Sequence, residues 1–156
     1  MSKDVLPVEH VSEVLAPHGI KVQRINGDTS TAPLAAAALN TPVSTIVKSL
    51  LFFADDEPVL VLAAGDRRVN TELLASELGS NALRLARPGE VIRVAGYAVG
   101  GVPPLGHRTR IRTLLDDSLL SHPVVYAAAG ASDAIFPVEP VNLQVITGAE
   151  ITSATD

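Results

Sequence analysis

The chain has no cysteine, and this absence removes several classes of function at once. Without a thiol the protein forms no disulfide, holds no thiolate-bound metal and uses no cysteine nucleophile. A Gly-x-Ser-x-Gly nucleophile elbow, a Gly-x-Gly-x-x-Gly dinucleotide fingerprint and a phosphate-binding loop ending in Gly-Lys-Ser/Thr are also missing. The histidines show no metal-ligand spacing, so we expect neither a metal nor another cofactor.

Aromatic residues are scarce, at 3% of the chain, although 47% of the residues are hydrophobic. The core must therefore consist of leucine, valine, alanine and isoleucine, and 156 residues are enough for one domain. No apolar run approaches the roughly 20 residues that a membrane-spanning helix needs, and residues 1–5 lack the plan of a signal peptide. We expect one soluble, cytoplasmic domain over residues 1–156, with its core at residues 8–150.

Basic residues are concentrated in one segment, although the net charge of the chain is −5. Residues 65–112 hold eight of the twelve bases and four acids, which gives this segment +4 and leaves −9 for the remainder. Because charges are screened beyond about 10 Å, a local basic face can bind phosphate even on an acidic protein. The alternative is a set of ordinary solvated arginines.

Local patterns predict helices and strands mixed along the whole chain. Apolar spacing, caps and terminal glycines predict helices at 8–18, 32–39, 71–78, 88–95 and 140–146. Alternation predicts a strand at 20–25, and short apolar runs predict strands at 46–53, 58–64, 83–86, 111–115 and 124–128. The short polar connection at residues 54–57 suggests a hairpin, and the polar tail after Glu150 is expected to fray. These elements favour a mixed α/β fold, either a curved, largely antiparallel mixed sheet or a small barrel, surrounded by helices.

Lys48 lies within a run that otherwise reads as a strand covered on both faces. Period-2 alternation directs it to the same side as Ile46, Leu50 and Phe52. An unpaired ammonium there costs several kcal/mol or loses its proton, which favours a functional role. The alternative is a strand-end lysine whose ammonium reaches water along its aliphatic stem.

The loop at residues 100–106 contains three glycines and two adjacent prolines. Such a loop is stiff and can present the N–H groups of Gly101 and Val102 to a carbonyl oxygen or a developing oxyanion. It can equally be a tight turn between strands. His107 follows the loop directly and either reaches a site there or is solvated.

Two further polar segments follow predicted strands. In Gly65-Asp66-Arg67-Arg68 the arginines could bind a phosphate, or the segment could be a turn in which Asp66 caps Thr71 or pairs with an arginine. Asp116 and Asp117 precede Ser118 and indicate a turn and a helix cap.

Several short segments occur along the chain in one particular order. The main ones are Ile46-Val47-Lys48-Ser49-Leu50, Leu60-Val61-Leu62-Ala63-Ala64-Gly65-Asp66-Arg67-Arg68-Val69 and Gly100-Gly101-Val102-Pro103-Pro104-Leu105-Gly106. The others are Thr31-Ala32, Leu83-Arg84-Leu85-Ala86 with Glu90-Val91, Leu115-Asp116-Asp117-Ser118-Leu119-Leu120 and Val125-Tyr126-Ala127-Ala128-Ala129-Gly130. Together they resemble the YbaK/prolyl-tRNA-synthetase-associated domain family over residues 8–150, nearly the whole chain.

The resemblance implies a mixed β-barrel or strongly curved sheet wrapped by helices, and an enzyme that hydrolyses amino acids wrongly attached to tRNA, notably tRNA for proline. It implies that Lys48 holds the backbone or terminal phosphate of the substrate while the amides of Gly101 and Val102 polarise the ester carbonyl. Water or the ribose hydroxyl of the substrate would complete the reaction without a side-chain base. The residues expected around the substrate are Gly65, Asp66, Arg67, Gly100, Pro103, Pro104, Gly106, His107, Ala128 and Gly130.

The segment at residues 125–136 departs from the pattern of the family members that remove cysteine. Those members carry a serine-containing strand followed by an acid, whereas this chain has Ala127-Ala128-Ala129-Gly130 and then Ile135-Phe136. The chain therefore resembles the stand-alone deacylases for small residues such as alanine, serine or threonine, and the resemblance leaves the amino acid open.

The implied partners are the 3′ end of an aminoacyl-tRNA and, as candidates, prolyl-tRNA synthetase and a second copy of the chain. Two other functions stay open at this point. One is a module that binds tRNA or a synthetase without catalysis, and the other is an amidase or esterase for small molecules.

Overall fold

The computed structural model describes residues 5–156 and contains the five helices that the sequence predicts. They are α1 (Val8–Leu15), α2 (Ala32–Leu39), α3 (Thr71–Leu78), α4 (Pro88–Ala95) and α5 (Pro140–Thr147). Helix α1 ends three residues before the predicted end, because Ala16–His18 form a 3-10 turn that closes at Gly19. Of the first five residues, on which the expectation about a signal peptide rests, four lie outside the described residues.

The helix ends form as their capping residues predict. The Thr31 hydroxyl accepts from the Leu34 N–H at 3.3 Å, and the Asn70 side chain accepts from the Leu73 N–H at 3.0 Å. Gly79 and Gly148 adopt left-handed backbone conformations directly after α3 and α5, where a side chain would be strained. Caps of this kind stabilise a helix by about 1 kcal/mol each.

Eight strands form one mixed, open sheet. They are β1 (Gln23–Arg24), β2 (Ile46–Ala54), β3 (Glu57–Ala64), β4 (Leu83–Leu85), β5 (Arg112–Asp116), β6 (Val125–Ala128), β7 (Ala134–Val138) and β8 (Glu150–Thr152). Their order is β1-β7-β6-β2-β3-β5-β8, and β4 also pairs with β2. The pairs β1·β7, β2·β3, β2·β4 and β6·β7 are antiparallel, and β2·β6, β3·β5 and β5·β8 are parallel. The mixed α/β fold is confirmed, with an open sheet rather than a barrel.

The hairpin of β2 and β3 forms the centre of the sheet, and apolar residues cover both of its faces. On one face Val47, Leu51 and Leu60 join the main core under α1 and α4. On the other face Phe52 and Val61 join a second cluster with Leu74 of α3, Val69 and Ala154. This two-sided burial confirms the pattern predicted for residues 46–53.

The C-terminal tail does not fray, contrary to the prediction. Residues Glu150–Thr152 form β8 beside β5, and Thr155 bridges to Val69. Ala154 and Thr155 are buried, and the Asp156 N–H donates to the Arg68 carbonyl at 2.8 Å. The polar composition was misleading because the threonines find partners within the fold.

Strand β7 was not predicted, although it is buried and completes a hairpin with β6. Pro137 lies within it opposite Tyr126, and a proline in an apolar run normally counts against a strand.

Among residues 5–156, no helix is both long and apolar enough to cross a membrane.

Candidate functional site

A cavity of about 350 Å³ lies beside β2 and contains several of the residues predicted for the site. Five of them line it: Lys48, Gly65, Gly100, Val102 and Ala128. The rest of the wall comes from residues 29–33 and Ala35 around the start of α2, from the other residues of β2 between Ile46 and Leu50, from Val99, and from Tyr126, Ala127 and Ile135 of the β6–β7 hairpin. The cavity thus joins segments that are far apart in the sequence, and its wall is mainly apolar.

The cavity lies where the sheet is interrupted beside β2. Strand β6 pairs with β2 only at Ile46 and Val47, and β4 pairs with β2 only from Phe52 to Ala54. Between these two ladders, β2 has a neighbour on its β3 side alone. Both Lys48 and Ser49 lie in this interval.

Lys48 is partly buried, and its ammonium donates to the main-chain carbonyl of Arg67. Burial lowers the pKa of Lys48 from its ordinary 10.5; the Asp66 carboxylate opposes the shift, Arg68 adds to it and Asp116 opposes it. Lys48 is the third residue of β2 rather than a strand-end residue, and it lines the cavity. One donor of the ammonium is used by Arg67, so two others are available to a ligand.

A chain of hydrogen bonds holds the carbonyl to which Lys48 binds. The Arg67 guanidinium donates from Nε to the Thr155 hydroxyl and from Nη2 to the Thr155 carbonyl, both at 3.0 Å. The Thr155 hydroxyl in turn donates to Oδ1 of Asp116 at 3.0 Å. The C-terminal tail therefore fixes the segment that positions the lysine.

Asp116 is completely buried and satisfies main-chain donors from two segments. Its Oδ2 accepts from the Ala64 N–H at 2.9 Å, and its Oδ1 accepts from the Ser118 N–H at 3.0 Å. The second contact confirms the predicted cap, which begins the 3-10 helix Asp117–Ser121. The first contact ties the end of β3 to the network beneath Lys48.

Neither Asp66 nor Arg67 lines the cavity, although both were expected near the substrate. The Arg67 side chain is engaged with Thr155, as described, and Asp66 is exposed. Gly65 is the member of this segment that reaches the cavity, and it has no room for a side chain. A Cβ at Gly65 would overlap the Val43 carbonyl and lie 2.9 Å from Ala32 Cβ.

The loop at residues 100–106 approaches the β6–β7 turn very closely. The Gly130 N–H donates to the Gly101 carbonyl at 2.8 Å, and this hydrogen bond links the loop to the β6–β7 turn. A Cβ at Gly101 would lie 2.9–3.1 Å from main-chain atoms of Ala131, and one at Gly100 would lie 2.9 Å from Ser30 Cβ. Both glycines are therefore required by close packing.

The two amides predicted to polarise the carbonyl differ in their bonding. The Gly101 N–H donates to the Ala98 carbonyl at 3.0 Å and is occupied within the turn. Within residues 5–156 the Val102 N–H has no hydrogen-bond partner, and Val102 lines the cavity. Of these two amides, that of Val102 is therefore the one available to a ligand.

Pro104, Gly106 and His107 line a separate cavity of about 320 Å³ beside Arg108 and Arg110. His107 Nε2 is 2.7 Å from the Pro103 carbonyl, and burial lowers the pKa of His107 although this hydrogen bond opposes the shift. The Tyr97 hydroxyl donates to the Gly106 carbonyl at 2.7 Å, and burial raises the pKa of Tyr97 to about 12. These contacts brace the loop without reaching the Lys48 cavity.

Some of the basic residues of segment 65–112 form ion pairs at the surface. Arg84 binds Glu90 at 2.8 Å, and this partner holds the pKa of Glu90 at about 2. Arg112 binds Glu150 at 2.7 Å, which raises the pKa of Arg112 and lowers that of Glu150. The side chains of Arg68 and Arg110 are exposed and carry charge toward solvent.

Across the described residues, no three of His, Cys, Asp and Glu are grouped so as to hold a metal ion.

Sequence reasoning did not identify Ser49, Thr155 and Asp116 as part of the site or its support. Ser49 stands beside Lys48 and lines the cavity, so its position in the predicted strand was the available signal. No local signal pointed to Thr155, because its role depends on the return of the tail to β3 and β5.

Comparison with known proteins places the chain in a family. The family described as "Aminoacyl-tRNA editing domain" matches residues 26–146. A crystal structure of a candidate trans-editing enzyme for prolyl tRNA synthetase superimposes with a TM-score of 0.89 at 35% sequence identity, covering 100% of this chain and 99% of the other. These matches confirm the family resemblance derived from the motifs.

Two curated relatives differ in length from each other. Uncharacterized protein YwhH of Bacillus subtilis is 30% identical over 123 residues, which is 78% of each chain. The proline–tRNA ligase of Lactobacillus gasseri is 32% identical over 108 residues, 69% of this chain. The present chain spans about a fifth of that ligase, since the match covers 19% of its length.

Proposed function

The chain belongs to the aminoacyl-tRNA editing domain family, and from this we propose that it is an aminoacyl-tRNA deacylase. The substrate of this activity is the ester between a small, wrongly attached amino acid and the 3′ end of a tRNA, and tRNA for proline is the first candidate. The proposal depends on one observation: Lys48 and Val102, whose N–H has no hydrogen-bond partner among the described residues, line the same mainly apolar cavity.

The Val102 N–H would polarise the ester carbonyl. A fixed main-chain donor in a partly dry cavity stabilises a developing oxyanion without reorganisation, and such a donor contributes about 3–4 kcal/mol to catalysis in other enzymes. The close packing of Gly100 and Gly101 fixes the direction of this donor. Gly101 then acts through loop geometry, since its own N–H is occupied by Ala98.

Lys48 would bind the phosphate or main-chain oxygens of the substrate with the donors that Arg67 leaves free. Because the lysine is held by a main-chain carbonyl, its ammonium is placed before the substrate arrives. The attacking oxygen comes from water or from the free ribose hydroxyl of the terminal adenosine, so no side-chain base is needed. Arg68 and Arg110 are two exposed bases that would contact the tRNA backbone.

The cavity favours a small amino acid. Its volume of about 350 Å³ must hold the aminoacyl group and part of the ribose, and Ala32, Ala35, Ala127 and Ala128 line it. An apolar pocket separates substrates by only about 1–3 kcal/mol per methylene, so alanine, serine, threonine and cysteine all stay candidates.

Such a deacylase works in the cytoplasm, where tRNA is charged, and prolyl-tRNA synthetase is its candidate partner. Homodimer formation stays a prediction.

The experiment measures release of amino acid from tRNA for proline charged with alanine, serine, threonine or cysteine, at fixed low salt. We expect the wild type to hydrolyse at least one of these esters and Lys48→Ala to lose at least about tenfold in rate. Lys21→Ala is the matched control, because Lys21 is exposed and outside the cavity. If the wild type binds charged tRNA but hydrolyses none, the chain is a binding module and the proposal is wrong.

A further inference from the structure

Among residues 5–156, the interrupted edge of β2 leaves the main-chain groups of Ser49 without a partner strand. The Gly65 N–H donates to the Ile46 carbonyl on the β3 side, and the Ala86 N–H donates to the Leu51 carbonyl on the opposite side. Alternate residues of an antiparallel strand direct both polar groups to the same neighbour. Even-numbered residues of β2 therefore bond with β3, and the N–H and C=O of Ser49 face the interval between β6 and β4.

The Ser49 side chain adds a third unsatisfied group at the same place. Its hydroxyl oxygen is buried and, within residues 5–156, has no hydrogen-bond partner. Of the other aliphatic hydroxyls that line the cavity, that of Thr29 donates to the Ser132 carbonyl and that of Thr31 accepts from the Leu34 N–H. Among the described residues that line the cavity, Ser49 thus carries the one buried side-chain hydroxyl without a hydrogen-bond partner.

A buried hydroxyl without a partner is costly, and two main-chain groups of the same residue face the same gap in the sheet, so Ser49 indicates a ligand that satisfies all three. An aminoacyl ester carries an amino group, a Cα and a carbonyl in the same order as one residue of a β-strand. One residue of an added antiparallel strand exchanges two hydrogen bonds with the residue opposite it.

We propose that the aminoacyl group of the substrate binds the open edge of β2 at Ser49 as a one-residue strand. The α-amino group donates to the Ser49 carbonyl and hydroxyl, and the ester carbonyl accepts from the Ser49 N–H alongside the Val102 N–H. This proposal rests on the proposed deacylase function and specifies its substrate: an ester whose acyl group carries a hydrogen-bond donor on Cα.

The charge of the cavity agrees with this arrangement. Among the residues that the structure describes, no carboxylate lines the cavity, so the amino group meets only neutral acceptors at Ser49, next to Lys48 in the sequence. Neutral acceptors bind an amine or an ammonium, whereas they give nothing to an acyl group without a donor. The enzyme therefore recognises the amino group by hydrogen bonding rather than by ion pairing.

The test compares tRNA charged with the amino acid that the wild type removes fastest with the same tRNA carrying its des-amino analogue, propionyl for alanyl. Each enzymatic rate is divided by the spontaneous rate, because the amino group itself activates the ester. We expect the acceleration to fall at least about tenfold for the des-amino ester. Equal acceleration of both esters would overturn the subsite and leave the deacylase function intact. Hydrolysis of no charged tRNA would remove both proposals.

Ser49→Ala tests the hydroxyl, and Ser118→Ala is its matched control. The hydroxyl of Ser118 is the other buried, unpartnered side-chain group among the described residues, and it lies outside the cavity. We expect Ser49→Ala to slow hydrolysis of the aminoacyl ester about tenfold and to leave the des-amino ester nearly unchanged. A purely structural role would slow both esters equally, and that result would exclude the hydroxyl from the subsite. Ser118→Ala should leave the ratio of the two rates unchanged.

Discussion

The ammonium of Lys48 donates to the main-chain carbonyl of Arg67, so the position of the lysine depends on the segment that follows β3. That segment is held by the Arg67 side chain, which binds Thr155, and Thr155 binds the buried Asp116. The last residues of the chain thus support the residue on which the proposed activity depends. This relationship makes the tail a part of the functional unit.

Thr155→Val removes the hydroxyl in the middle of this network while keeping the side-chain shape. Arg67 Nε then loses its acceptor and Asp116 loses one donor. We expect the free energy of unfolding to fall by about 1–2 kcal/mol, measured by urea denaturation. We also expect the kcat/KM for a charged tRNA to fall on the order of tenfold, because the Arg67 carbonyl shifts under Lys48.

Ser153→Ala is the control in the same tail. Its hydroxyl donates to the exposed Asp117 at 2.6 Å and takes no part in the network. We expect a change of less than about 0.5 kcal/mol and full activity. Equal effects of the two substitutions would show that the tail acts only by covering the core.

Gly101→Ala tests the requirement for close approach in the loop. The added Cβ would lie 2.9–3.1 Å from three main-chain atoms of Ala131, which cannot rotate away. We expect a loss of about 1–3 kcal/mol in stability and a large loss of kcat, because the Val102 amide moves with the loop. Gly89→Ala is the control, since a Cβ there meets nothing within 4 Å and Gly89 lies in α4. A fully active Gly101→Ala variant would contradict the role of the loop.

The pKa of Lys48 predicts how activity and stability respond to alkaline pH. Burial lowers this pKa below 10.5, so the folded state binds fewer protons than the unfolded state as pH rises toward 10.5. Lys48 therefore destabilises the fold while it is charged, and the cost is relieved as pH rises through its folded pKa. We expect kcat/KM, corrected for spontaneous hydrolysis, to decline in that same range because the ammonium is lost.

Lys48→Arg separates this titration from other alkaline effects. A guanidinium stays charged throughout the range, so a variant that retains activity should lose the alkaline decline in its pH profile. An unchanged decline in active Lys48→Arg would assign the titration to another group.

Local sequence patterns were sufficient for the helices and for the central hairpin. The signals were a cap at Thr31, a cap at Asn70 or Thr71, and the two-sided apolar run of β2 with its short connection to β3, each of which acts over a few residues. The structure confirms the cap at Thr31, assigns the second cap to Asn70 and confirms the hairpin. Strands β7 and β8 were not predicted, because they form only through pairing with other strands of the sheet. Pro137 and the polar tail after Glu150 carry local signals that oppose the observed structure.

The site was predicted through the resemblance more than through local physics. Lys48 stood out as a lysine in an apolar strand, but the interrupted edge beside it depends on where β6 ends and β4 begins. The sequence could not distinguish the occupied amide of Gly101 from the open amide of Val102, since Ala98 decides the difference. The division of the loop between two cavities likewise arises only in the folded chain.

Ala128→Leu tests whether the cavity is the amino-acid pocket. Ala128 lines the cavity at the end of β6, and the three added carbons would occupy much of the space available to the substrate side chain. We expect hydrolysis of threonyl-tRNA to fall at least about tenfold more than hydrolysis of alanyl-tRNA, because the extra atoms of threonine meet the new side chain first. Ala38→Leu on the exposed face of α2 is the matched control and should change neither rate. If Ala128→Leu slows both esters by the same factor, the side chain of the substrate lies elsewhere and this cavity holds only the ester and the ribose.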